Sequence, residues 1–159
     1  MEVLQHHLLC ENEQALIEYA AVLGGLMRVG DVLHLLGPLG AGKTTVARGV
    51  LAGLGYSGAV KSPTYTIVEP YELSGKTIYH VDLYRLTTPC ELDAMGFEAY
   101  YHSGAILLIE WPECGQGFLM PPTLEISLSY TEPGRSLVFS AGCQRGRYLI
   151  DRLQTLLLG

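Results

Sequence analysis

No apolar run in the 159 residues approaches the roughly 18–20 needed to cross a bilayer, which argues against a membrane span. Around Glu2 and Glu11 the chain lacks the basic, apolar and small-residue succession of an export signal. The expectation is a soluble, cytoplasmic protein. Basic residues are few: ten Lys and Arg stand against sixteen Asp and Glu, a formal net charge of −6. They are scattered, and the densest group is Arg145-Gly146-Arg147. Tracking nucleic-acid phosphates needs a basic patch, so strong direct binding of nucleic acid is disfavoured. Contact through a basic partner stays open. Cys10, Cys90, Cys114 and Cys143 form no C-x-x-C pair, which argues against a zinc site and predicts reduced thiols serving as small core residues. Repeats, low-complexity tracts and linkers are also missing. The length suits one domain, residues 1–159, with a real core.

What is present is a glycine-rich phosphate-binding pattern. Gly37-Pro38-Leu39-Gly40-Ala41-Gly42-Lys43-Thr44-Thr45 fits G-x-x-x-x-G-K-[ST] at every required position. Glycines let the chain take turns that a Cβ forbids, so that backbone N–H groups can ring a phosphate. Lys43 adds a cation for the β- and γ-phosphates, and the Thr44 hydroxyl suits Mg²⁺. The flanks match: Val32–Leu36 is an apolar run suited to a buried strand. Val46, Val50, Leu51 and Leu54 then fall at helical spacing, with Gly55 as a stop.

The remaining pattern predicts an α/β fold. Asn12 is a good N-cap for a helix whose apolar stripe is Leu16, Tyr19, Ala20, Leu23 and Met27. Tyr65–Leu73 and Thr77–Tyr84 read as strands joined by Ser74-Gly75-Lys76. In the second, alternation puts His80, Asp82 and Tyr84 on one face. Thr88-Pro89-Cys90-Glu91 reads as the capped start of a short helix. Ala105–Ile109 is continuous and apolar, as a central parallel strand should be. Leu124, Ile126, Leu128 and Tyr130 alternate with polar residues. Glu132-Pro133-Gly134-Arg135 turns into an antiparallel strand, Ser136–Ala141, and an amphipathic helix from Gln144 closes the core. The class is a three-layer, phosphate-loop NTPase-like fold with a mixed, centrally parallel sheet.

Such a fold needs a second acid at a strand end to hold Mg²⁺. Glu110, after the most apolar run, is one candidate, and Asp82 is the other. Asp82 could equally pair with Arg85 or cap the backbone. Trp111, the single tryptophan, could shield phosphates, stack on a base or fill the sheet end. His80 is a structural residue or a base. Thr64, in Ser62-Pro63-Thr64-Tyr65, stands where a γ-phosphate-sensing segment would lie, or in an ordinary proline turn. No Asn-Lys-x-Asp motif is present, which favours ATP over GTP. No arginine-dense lid follows, which weighs against the alternative of a small kinase or phosphotransferase with its own acceptor.

The order of the phosphate loop, Lys61–Tyr65, His80–Leu86, Met95-Gly96 and Ile109-Glu110-Trp111-Pro112 resembles the TsaE (YjeE) family. The likeness runs from about Leu8 to the C-terminal helix. It implies a bacterial Mg²⁺-dependent ATPase needed to form threonylcarbamoyladenosine in tRNA, slow alone and stimulated by partners. It implies TsaD and TsaB as those partners, tRNA contact only through their complex, and an accessory role rather than the transfer itself. Residue by residue, Lys43 and the loop match phosphate contacts, and Thr44 and Glu110 match metal positions. Thr64 and Asp82 match switch-like segments, and Trp111 matches a tryptophan near the nucleotide. Glu113 and Arg135 match polar residues that approach it. Pro38 departs from the family's usual Asp, removing an acid and an N–H just before the anion nest.

Overall fold

The computed structural model describes residues 4–158. In chain order the elements are β1 (Gln5–Cys10), α1 (Glu13–Leu26), β2 (Val32–Leu36), α2 (Lys43–Gly53), β3 (Val68–Leu73) and β4 (Lys76–Asp82). Then come α3 (Glu91–Ala94), α4 (Glu98–His102), β5 (Ile106–Glu110), a 3₁₀ turn (Pro112–Gly115), β6 (Leu124–Tyr130), β7 (Arg135–Ala141) and α5 (Gln144–Leu158). The strands form a seven-stranded sheet in the order β1-β7-β6-β2-β5-β4-β3. Its centre is parallel, with β2 between β5 and β6 and β4 beside β5. The flanks β3–β4, β6–β7 and β7–β1 are antiparallel.

Local chemistry sets most of the boundaries. Asn12 caps α1 by accepting the Ala15 N–H at 2.9 Å. Ser74 and Gly75 both take positive φ, the backbone of a tight hairpin turn, and Leu73 pairs directly with Lys76. Glu91 accepts the N–H groups of Thr87 and Thr88, half of the expected capping box. The Thr88 side chain takes no part in the capping, and the helix begins only at Glu91. Two strand boundaries differ from expectation. Pro63–Ile67 closes as a turn, with the Ile67 N–H on Pro63 O and Ile67 at φ 68°, so β3 starts only at Val68. β4 ends at Asp82, whose carboxylate accepts the Tyr84 N–H and turns the chain away.

One face of the sheet carries α1, α2 and α5 over a core that includes Leu33, Leu35, Val50, Leu51, Ile126 and Ile150. The other face is covered over β4 and β5, where Val81, Leu107 and Ile109 pack with Leu92 and Phe97. Farther out, Glu125, Ser127 and Ser129 of β6 and Ser136 and Ser140 of β7 stay half-buried or exposed. The alternation read in β6 is therefore that of a strand with one solvated face. Helices α1 and α2 approach so closely that a Cβ on Gly24 would stand 2.2 Å from Val50 O, and one on Gly53 2.0 Å from Ala21 O.

One expectation about side chains is corrected. Of the cysteines, Cys10 alone is buried. Cys114 is half-buried, and Cys90 and Cys143 are exposed because both lie in turns that precede helices. The densest basic group is partly consumed internally: Arg145 pairs with buried Asp31 at 3.0 Å and donates to Leu26 O, tying α5 to the end of α1.

His34 lies buried in β2, and its Nε2 has no hydrogen-bond partner among the described residues. Burial pushes its pKa from 6.5 down to about 4. Between those values the unfolded chain takes up a proton that the folded chain refuses, so stability falls as pH drops from 6.5 towards 4. The loss amounts to about 3 kcal/mol at about 1.4 kcal/mol per pH unit. His34→Leu should flatten that limb of the curve, measured by urea unfolding across the range. A wild-type-to-variant difference that does not change with pH would refute the account.

Candidate phosphate and metal site

The parallel register brings the site together. Leu35 of β2 and Asp82 of β4 both pair with Glu110 of β5, so the loop after β2 and both strand-end acids meet at one edge of the sheet. Carboxyl ends of strands are where an open α/β sheet receives ligands. Gly37 and Gly42 bound the loop. A Cβ on Gly37 would lie 2.7 Å from Leu128 O. Gly42 takes φ 113° as the N-cap of α2, a conformation that L side chains rarely adopt. The first helical bond of α2 runs from Val46 N to Gly42 O, so the N–H groups before it are left for another acceptor. Together with the positive end of the helix dipole, they form an anion-binding concavity.

Lys43 is only 4% exposed. Its Nζ donates to Gly37 O at 2.5 Å and Pro38 O at 3.0 Å, and lies 4.0 Å from the centre of the Trp111 ring. Burial lowers its pKa, and the carboxylates of Glu110, Glu113 and Asp82 oppose that shift. Carbonyl dipoles and an indole face are modest compensation for a desolvated ammonium, which leaves it ready to meet an anion. Pro38 gives up an N–H, yet its carbonyl is one of the groups that hold Lys43.

Thr44 Oγ1 lies 3.1 and 3.0 Å from the two Glu110 oxygens. A hydroxyl that donates to a carboxylate keeps its lone pairs free, so the pair forms an oxygen donor set suited to Mg²⁺. Buried His80 places Nε2 2.6 Å from Glu110 Oε2. Burial raises the pKa of Asp82, and the Glu110 charge adds to the rise. Asp82 caps the Tyr84 N–H, while Arg85 leaves the acid and lies over the Tyr65 ring at 4.2 Å.

A cleft of about 280 Å³ has Lys43, Thr44, Thr64, Asp82, Glu110 and Trp111 in its wall. A second cleft of about 400 Å³ beside the loop is bounded by Asn12 and Arg135, and Gly40, Gly42 and Thr45 line both. The structure therefore gathers most of the expected residues around one loop. Glu113 is the outlier, exposed on the 3₁₀ turn and in neither cleft wall. Trp111 takes φ 57°, an uncommon backbone for a bulky residue, and its ring tilts against Tyr84 at 4.9 Å.

Sequence reasoning missed Tyr130. Its hydroxyl donates to Leu39 O, Arg135 stacks on its ring at 4.5 Å, and Arg135 Nε donates to Ala41 O at 3.0 Å. The β6–β7 hairpin thus pins two loop carbonyls. Nothing in the sequence around Tyr130 signals this, because the contact spans 91 residues.

Strand, glycine loop and helix on a parallel-centred sheet define an α/β protein of the phosphate-loop NTPase type. The family described as "Threonylcarbamoyl adenosine biosynthesis protein TsaE" matches residues 10–137, and the chain belongs to that family. The tRNA threonylcarbamoyladenosine biosynthesis protein TsaE of Haemophilus influenzae is 47% identical over 120 residues, 76% of each chain. The Bacillus subtilis protein of the same name is 34% identical over 135 residues, 84% of each chain. Among solved structures, Bacillus subtilis YdiB superposes with a TM-score of 0.84 at 29% identity, covering 98% of this chain and 97% of its own.

Glu110 accepts from two buried or half-buried partners, so removing it leaves donors without acceptors. Glu110→Ala is expected to lower stability by about 1–3 kcal/mol, the usual penalty for a stranded buried polar group. Glu110→Gln keeps an acceptor and should cost less. Urea unfolding of the three proteins checks the order, and equal stability of Glu110→Ala and wild type would contradict it.

Proposed function

We propose that the chain is a Mg²⁺-dependent ATPase acting as an accessory component in the formation of threonylcarbamoyladenosine in tRNA. Family membership supports the pathway. The carrying observation for the chemistry is the Thr44–Glu110 pair, set beside the buried ammonium of Lys43 at the mouth of the phosphate loop. The loop N–H groups and Lys43 would hold the β- and γ-phosphates. Thr44 and Glu110 would hold Mg²⁺, which when bound neutralises phosphate charge and orients the γ-phosphoryl group. Asp82, in the wall of the same cleft, would hold a water near the phosphate. Thr64 presents its hydroxyl to the same cleft, 2.5 Å from Ser62 Oγ. Arg135, Thr45 and Asn12 would border the nucleoside half in the second cleft.

The partner dependence has its own support. Leu39 is 69% exposed, Tyr65 81% and Tyr84 50%, and two of these three line the phosphate cleft. Apolar surface around a nucleotide mouth suits a partner that covers it and completes the site. TsaD and TsaB are the proposed partners. The formal net charge of −6, and the internal use of Lys43, Arg135 and Arg145, favour tRNA contact through that complex rather than by this chain alone.

Lys43→Ala is expected to weaken ATP binding by about 2–5 kcal/mol, the cost of removing one partner from a desolvated charge contact. Calorimetry reads the affinity. Phosphate release then reads turnover, slow for the chain alone and raised by TsaB with TsaD. Unchanged affinity in the variant, or rapid phosphorylation of a small acceptor, would overturn the proposal. Trp111 supplies a second readout, being the single indole and standing over Lys43. Its emission and acrylamide quenching should change on adding ATP. If calorimetry detects binding while both signals stay constant, Trp111 does not face the nucleotide.

A further inference from the structure

Buried side chains outside the phosphate loop include one whose chemistry has no use in packing. His80 is fully buried in β4, between Ile78 and Val81, which are fully buried too. An apolar residue would satisfy that position. Replacing a buried polar pair by apolar groups is often neutral or stabilising, so stability alone does not call for a histidine here. Its imidazole is committed at one end and bare at the other. Nε2 meets Glu110 Oε2 at 2.6 Å, while Nδ1 has no partner among the described residues. An ionised carboxylate only accepts, so Nε2 must carry a proton. A proton on Nδ1 would be a buried donor with nothing to receive it, and orphaned buried donors are the rarer kind of defect.

We propose that His80 is a positioning residue for Glu110, donating from Nε2–H to Oε2 so that the plane of the carboxylate is fixed, with both oxygens in reach of Thr44 and Oε1 left for the metal position. The inference rests on the ATP–Mg²⁺ reading given above. The terminal torsion of a glutamate is broad and roughly two-fold, and Thr44 lies almost equally far from both oxygens, at 3.1 and 3.0 Å. Thr44 therefore does not select one orientation, and His80 does. A second constraint comes from the neighbouring strand. Asp82 pairs in register with Glu110 and stands two residues beyond His80 on the same strand face. Two carboxylates side by side repel, and a donor anchoring Glu110 from below keeps it from swinging away from Asp82. Outer groups of this kind typically change metal affinity by about 10–100-fold when removed.

Two measurements test this. The first uses the nucleotide-free wild-type protein with ¹⁵N-labelled histidine. Its His80 resonances should show the proton on Nε2 and a bare Nδ1, and a proton on Nδ1 with none on Nε2 overturns the proposal. The second is a Mg²⁺ titration of the binding of a non-hydrolysable ATP analogue, followed by calorimetry. His80→Leu should raise the Mg²⁺ needed for half-maximal enhancement by about tenfold. His80→Gln, whose amide can donate from nearly the same place, should restore most of it. Affinity for the analogue in excess chelator should be the same in all three proteins. A purely structural histidine would lower thermal stability in the variants without moving the Mg²⁺ midpoint, and that result overturns the proposal. Should His80→Leu fail to fold, the ¹⁵N spectrum and the His80→Gln midpoint still decide. If the wild type itself binds the analogue without any Mg²⁺ dependence, the ATP–Mg²⁺ reading fails, whereas the tautomer result stands apart from it.

Discussion

The ammonium of Lys43, held almost out of water, is the interaction around which the rest of this site is arranged. Its hydrogen bonds run to carbonyl oxygens of its own loop, and its face is closed by an indole. A lysine in that position keeps its charge only if negative potential is nearby, which Glu110, Glu113 and Asp82 supply. Those acids in turn crowd one another: burial raises the pKa of Asp82, and the Glu110 charge adds to the rise. The site is thus a balance of like and unlike charges in a poorly solvated edge.

Sheet register makes that balance possible. Asp82 and Glu110 are opposite each other because β4 and β5 run parallel in register, and Leu35 sits across from the same glutamate. A slip by one residue would turn each acid to the other face. The uninterrupted apolar run of β5 keeps that register, since all five of its residues are buried. The loop is likewise held by Tyr130 and Arg135, groups from a hairpin that contributes no acid or lysine to the phosphate cleft. The candidate site sits on the central strands, and the flanking antiparallel strands act as its mount.

The phosphate loop and its flanks were legible in the sequence because each signal is local: a glycine spacing, an apolar run, a helical period. The strong α1 cap at Asn12 and the hairpin turn at Ser74-Gly75 were readable for the same reason. β1 was not, because Gln5-His6-His7-Leu8 offers weak alternation and gains its strand character from pairing with β7 far along the chain. The early start read for β3 failed because Tyr65-Thr66-Ile67 has the composition of a strand, while the Pro63 carbonyl captures the Ile67 N–H and folds it into a turn. Both candidate acids lie beside the loop. The partners that fix them, His80 for Glu110 and the Tyr84 N–H for Asp82, depend on which strands lie side by side, and composition carries no such information.

The close contact between α1 and α2 has a consequence for how variation in this chain should be interpreted. Gly24, Gly49 and Gly53 stand where any added carbon would strike the backbone or a Cβ of the opposite helix. Such positions will reject nearly every replacement, and a mutational scan would mark them as intolerant as the phosphate loop itself. Yet none of the three lines a cleft beside that loop. Intolerance at a glycine of this molecule can therefore come from helix spacing alone, and a map of invariant glycines would draw the candidate site too large.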